Sequence, residues 1–311
     1  MGAYYVPDAC EALISPILLT INFQTFSFEL NGLISCMFFS INLMISIGFT
    51  ILARRWPALM TEWTTVERSL PQQPQLAGLS QRNRRRVLII MTVLILSALF
   101  EHALAKPAGL YRAYKCGITD LLEAHLMQAF PEMFSFLPFS IPLGFAAQII
   151  TSWLTFYWNY VDLFIIVLCI GLRQNIQHVN EVILQSKDHY HSEKFWHDHW
   201  RHFQKASGLV HKLKKKMSYL VVVSFSNNTF FICIQLIGVL KPAPGFIVAV
   251  YVWYSLGHLI IRMIFMTLYA ADVYDESRRL LPLFRSIPNH QYNKEFTKQK
   301  SVLHDYVQTI S

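Results

Sequence analysis

Asp162 lies in the middle of a long apolar run, beside Tyr157, Trp158 and Asn159. A charged group in such a setting is costly unless it faces protein or water, so it marks either a ligand cavity or a contact between helices. Other polar residues interrupt apolar runs in the same way. Ser224, Ser226, Asn227, Asn228 and Thr229 cluster in one run, with Gln235 farther along. In another, His258 and Arg262 stand four apart on one helical face, with Trp253 and Tyr254 above them. Glu101, His102, Asp120, Glu123, His125 and Gln128 fall near what reads as an outer surface. Converging amides and carboxylates with aromatic faces can hold a neutral polyol, since rings cover C–H faces while polar groups bond the hydroxyls. The same groups can equally satisfy one another between helices, and Arg262 could pair with Asp162 there.

Other chemistries find less support. Histidines are frequent over 173–216 (His178, His189, His191, His197, His199, His202 and His211). Only His199 and His202 share a helical face, and the spacing matches no metalloprotease pair, so solvated surface is expected and no metal site. The chain has no phosphate-cradling glycine loop, nucleophile elbow or array of cysteine pairs, which argues against an enzyme or a cofactor. Asn227-Asn228-Thr229 forms a glycosylation sequon, but within an apolar run it is not expected to be modified.

The elements that must position these residues are membrane helices. Hydrophobic residues make up 53% of the 311 and charged ones 15%, well below the roughly 25% of ordinary soluble domains. Apolar windows recur at about 28–53, 87–105, 135–172, 218–240 and 246–271. Each is long enough to cross a hydrocarbon core about 30 Å thick. The fold class is therefore all-α polytopic, with residues 1–311 read as one membrane domain. Residues 12–24, within an apolar stretch at 10–24, are too short for a clean span and contain Pro16; no basic leader precedes them, so no signal peptide is expected. Pro138 and Pro142 predict a broken or oblique start to the third window. Residues 71–83 read as a loop, 119–130 as an amphipathic helix, and 173–216 as a helical extension of its flanking spans. PAP at 242–244 reads as a tight turn, and 271–288 as a charged helix.

The formal charge of +8 follows topology rather than nucleic-acid binding. Residues 53–86 carry seven basic and two acidic residues, 106–134 three of each, 173–216 nine and four, and 272–311 six and five. Basic loops stay cytoplasmic, which assigns the connectors 54–86, 173–217 and 272–311 to the inside and the intervening loops to the outside. Of the five cysteines, only Cys116 falls in an exterior loop, without an obvious partner.

LARRWPALMTEWTTVE (52–67), EHAL (101–104), FYWNYVDLFI (156–165) and YAADVYDESRRLLPLFRSIP (269–288) resemble insect gustatory receptors, most closely the sugar-receptor branch called the trehalose-receptor family. The resemblance covers most of residues 28–300. It implies a plasma-membrane receptor of seven spans with its N-terminus inside. Four subunits, identical or mixed, would form a ligand-gated cation channel, each binding sugar in an outward-facing pocket. The five windows would match the family's second to sixth spans. On the same resemblance the pore-lining last span would be absent from residues 1–311, and the first absent or reduced to 10–24. Asp162, Asn159 and Trp158, then Glu101, His102 and Gln128, become the candidate ligand residues. A transporter of a small polar solute, or a non-conducting regulatory subunit, is the alternative.

Overall fold

The computed structural model describes residues 30–70, 74–115, 120–186, 193–240 and 245–280. The stretch 10–24, Cys116, the turn at 242–244 and everything beyond 280 lie outside the described residues. All regular structure among the described residues is helical: α1 Leu30–Ser69, α2 Pro74–Lys115, α3 Leu121–Ala129, α4 Pro131–Phe134, α5 Ile141–Gln185, α6 Glu193–Leu240 and α7 Phe246–Arg278. Five of them, α1, α2, α5, α6 and α7, are long and apolar enough to cross a membrane.

These five helices run well past the hydrocarbon. The 48 residues of α6 extend about 72 Å at 1.5 Å per residue, more than twice a core of about 30 Å. Hydropathy windows mark where lipid ends, whereas hydrogen bonding and propensity decide where a helix ends. Hence α5 and α6 continue to Gln185 and back to Glu193, as the pattern over 173–216 predicts. The loop expected over 71–83 is a correction. Helix begins at Pro74, whose ring fixes φ and whose missing N–H costs nothing at a first helical position. Helix also continues through Pro57 in α1 and Pro107 in α2. At the third window the prolines act as expected. Residues 135–140 are turn and irregular, and α5 starts at Ile141 with Pro142 in its first turn. The amphipathic pattern at 119–130 becomes α3.

The described residues fall into two compact units. The first comprises the described parts of Met1–Arg54, Met91–Leu163 and Tyr219–Ile264. Its core joins Phe39, Ile45 and Phe49 of α1 to Leu154, Tyr157 and Val161 of α5, Leu220 and Val223 of α6, and Leu256 and Leu259 of α7. By contrast the α2 segment of this unit turns Val93, Leu96 and Phe100 outward, the pattern of a helix solvated by lipid. Close packing within this unit relies on Gly48. A Cβ there would lie 2.5 Å from Leu220 Cδ2 and 3.1 Å from the Tyr219 ring, and Leu220 is fully buried. Gly48→Ala is expected to destabilise the protein by about 1 kcal/mol, the low end for overpacking, read as a lower melting temperature in detergent. An unchanged or raised melting temperature would mean that α6 yields freely at this point.

The second unit comprises the described parts of Arg55–Ile90, Phe164–Ser218 and Phe265–Ser311. Leu59 and Val66 of α1, Ile176, Val179 and Ile183 of α5, and Leu209 and Leu213 of α6 form its core. His199 Nδ1 bonds the Phe195 carbonyl at 2.8 Å, and its ring centroid lies 6.1 Å from that of His202.

Candidate functional site

Most of the buried polar residues on α5, α6 and α7 of the first unit fall into two clusters. On α5, Thr151 Oγ1 bonds the Ala147 carbonyl, Thr155 Oγ1 the Thr151 carbonyl and Asn159 Nδ2 the Thr155 carbonyl, each at 2.9 Å. Where no water reaches, a side chain can satisfy itself against its own helix in this way. The ladder fixes Asn159 so that its carbonyl oxygen faces α7.

The first cluster centres on Arg262 and Asp162. Nε of Arg262 lies 2.6 Å from Asp162 Oδ2, and both side chains are only 2% exposed. The remaining edges of the guanidinium donate to Asn159 Oδ1 and to Asn228 Oδ1, the latter at 2.5 Å. The carboxylate in turn accepts from Ser224 Oγ on one oxygen and from Asn228 Nδ2 on the other, at 3.0 Å. Buried charges are tolerable when paired and when neutral dipoles fill the remaining positions, and both conditions hold here. Trp158 closes the cluster, with Arg262 Cζ 5.3 Å from its ring centroid, inside the range of a cation–π contact.

The second cluster joins α2 to α7. Ser255 Oγ donates to Glu101 Oε1 at 2.5 Å and receives Gln235 Nε2 at 3.1 Å. The other oxygen of Glu101 lies 3.9 Å from His258 Nε2. His258 Nδ1 pairs with Ser97 Oγ at 2.8 Å, and the Tyr254 hydroxyl donates to the Ser97 carbonyl at 3.1 Å. His102 stacks on Phe156, ring centroids 4.8 Å apart. A small cavity of about 220 Å³ opens between α2, α5 and α7, walled in part by Ala98, Phe156, Asn159, Tyr160 and Arg262. On α3, burial and the nearby charge of Lys106 hold the His125 imidazole below its ordinary pKa, so the ring is neutral at physiological pH.

Of the six sequence candidates, Trp158, Asn159 and Asp162 come together around Arg262, while Glu101 and His102 stand near His258 and Phe156 respectively. The side chain of Gln128 lies outside the described residues. Two of the candidates keep a buried polar atom without a hydrogen-bond partner among the described residues: Nε1 of Trp158 and Nε2 of His102. Sequence reasoning missed Ser97 and Ser255. Their only signal was position, Ser97 four residues before Glu101 and Ser255 three before His258, because a lone serine in an apolar run is common.

A family model described as trehalose receptor matches residues 10–308, nearly the whole chain. The chain belongs to the trehalose receptor family. It is 31% identical over 262 residues to the gustatory receptor for sugar taste 64f of Drosophila melanogaster, covering 83% of this chain and 55% of that protein. It is 30% identical over 255 residues to the gustatory receptor 5a for trehalose of the same fly, covering 81% and 57%. The gustatory receptor for sugar taste 64a matches at 30% over 267 residues, covering 83% and 58%. The chain thus spans little more than half the length of these relatives. Trehalose receptor family members are receptors rather than enzymes, and the five apolar helices make this one a multi-pass membrane protein.

Proposed function

We propose that this chain is a subunit of a sugar-sensing gustatory receptor at the plasma membrane, with its ligand site among α2, α5 and α7 of the first unit. The observation that carries the reading is the cavity of about 220 Å³ walled in part by Phe156, Asn159, Tyr160 and Arg262. Two side chains packed on those walls, Trp158 beneath Arg262 and His102 on Phe156, keep a buried nitrogen without a partner among the described residues. A buried polar atom without a partner costs stability, and a ligand hydroxyl offers both donor and acceptor to such groups. Phe156 and Tyr160 supply ring faces for the C–H side of a sugar, while Asn159 and Arg262 supply polar edges to the same cavity. Asp162 orients the guanidinium of Arg262 through their ion pair. Four such subunits form a ligand-gated cation channel, in which occupancy of each pocket favours the open state.

Equilibrium binding of trehalose, sucrose and glucose to the purified protein in lipid nanodiscs tests the site. Trp158→Phe retains the ring while removing the N–H, and His102→Leu removes the imidazole. Each is expected to weaken binding of the preferred sugar about tenfold, the equivalent of one hydrogen bond worth about 1.4 kcal/mol. Absence of saturable binding by any of the three, or wild-type binding by both variants, would overturn the assignment. Sugar-evoked current in expressing cells tests the channel reading, and saturable uptake without current would make the protein a transporter instead.

A further inference from the structure

We propose that the first unit holds a second ligand site, apolar and separate from the polar clusters, that takes a compact uncharged hydrophobe carrying one hydroxyl group. A cavity of about 290 Å³ lies among α1, α4, α5 and α6, with the Phe130 corner between α3 and α4 closing one side. Among the described residues its walls are phenylalanine, leucine, isoleucine, methionine and alanine, with Ser35 and Thr151 the only polar side chains and no charged one. A cavity of roughly 150 Å³ lined by aliphatic and aromatic side chains takes up benzene. Twice that volume admits a molecule of about ten carbons.

The lining chooses the chemistry. A sugar placed here would leave most of its hydroxyls without partners, at about 1–3 kcal/mol for each one buried. A hydrophobe loses nothing of that kind, and it can concentrate in the surrounding lipid before entering. Thr151 Oγ1 already gives its proton to the Ala147 carbonyl, so its oxygen remains as an acceptor for one ligand hydroxyl.

The site also touches the polar machinery. Phe38 and Phe231, two of its walls, pack on Trp158 with ring centroids 6.0 and 4.6 Å apart. Trp158 in turn lies beneath Arg262. An occupant that moves either phenylalanine moves the indole, so the hydrophobe acts as a modulator of the sugar response. This last step rests on the sugar reading above; the existence of the apolar site does not.

Tritiated geraniol, a ten-carbon alcohol, and myrcene, a hydrocarbon of similar size, serve as probes against the full chain in phosphatidylcholine nanodiscs. Saturable geraniol binding is expected above the partitioning seen with empty nanodiscs. Ala147→Phe, which fills the cavity, is expected to weaken both probes at least tenfold. Thr151→Val changes the volume little, and is expected to weaken geraniol about fivefold or more while leaving myrcene within twofold. This second variant keeps the test decisive if the larger side chain impairs folding. Geraniol uptake no greater than that of empty nanodiscs would overturn the proposal. So would equal effects of Thr151→Val on the two probes, or saturable binding in detergent that vanishes in nanodiscs because a lipid chain holds the cavity. Since none of these readouts involves sugar, failure here leaves the sugar site standing, and the reverse also holds.

Discussion

Arg262→Met is expected to cost the protein about 3–5 kcal/mol, because it leaves the Asp162 carboxylate buried without its counter-charge. Thermal unfolding in detergent, followed by loss of the monodisperse peak, checks it. Two charge-assisted hydrogen bonds go at the same time, from the guanidinium to the amide oxygens of Asn159 and Asn228. Interhelical hydrogen bonds inside membranes average only about 0.6 kcal/mol, so the stranded charge is expected to dominate the loss. The double variant Asp162→Leu/Arg262→Met separates the two contributions. With both charges gone, most of the lost stability should return, since a buried pair replaced by apolar groups is often neutral. A double variant as unstable as the single one would show that the amide network, rather than charge pairing, holds these helices together. Arg262→Lys should fall between, because an ammonium cannot address Asp162, Asn159 and Asn228 with one rigid fork.

In the second unit, the largest effect is expected from Glu276→Leu. Asn180 is fully buried, and its Nδ2 donates both to the Glu276 carbonyl at 2.7 Å and to Glu276 Oε1 at 2.8 Å. Removing the carboxylate leaves half of that arrangement unmade inside packed helices, a loss of about 1–3 kcal/mol. Glu276→Gln keeps an acceptor for Asn180 and should retain most of the stability. The ion pairs around the same carboxylate matter less. Arg279 lies 3.3 Å away and Arg173 4.0 Å away, both partly in solvent, where such pairs are worth about 0–1 kcal/mol and weaken with salt. Its hydrogen bond to Glu181, at 2.7 Å, holds the Arg279 pKa above its ordinary value, so Arg279 stays charged throughout the accessible pH range. Hydrogen exchange over α5 and α7 should therefore quicken in Glu276→Leu and remain near wild type in Arg279→Ala. Equal quickening in the two variants would move the weight from Asn180 to the surface charges.

Much of the fold can be read along the chain. Five apolar windows became five long helices, and the third was interrupted around Pro138, with α5 starting at Ile141 and Pro142 in its first turn. The possibility that Arg262 pairs with Asp162 was also legible, because two opposite charges in apolar runs have few alternatives to each other. Helix ends were less legible. The loop expected over 71–83 is helical from Pro74 onward, since proline and glycine there sit in positions a helix tolerates. The second polar cluster was hidden for a different reason. Glu101, Ser255, Gln235, His258 and Ser97 come from three helices far apart in sequence, and nothing local links a serine at 255 to a glutamate at 101.

Residue types and their order along the chain establish the class of the molecule and which side chains cannot rest in lipid alone. Both follow from transfer free energy, which is a property of each side chain and its near neighbours. The sequence also carries family membership, matched over residues 10–308. Tertiary structure decided which polar groups are satisfied and which are not. Asp162 looked as available as Trp158 along the chain, yet Arg262, Ser224 and Asn228 occupy its oxygens, whereas the Trp158 N–H and His102 Nε2 have no partner among the described residues. Hydrogen bonding requires approach to about 3 Å with the right direction, and that proximity exists only once α2, α5, α6 and α7 are packed.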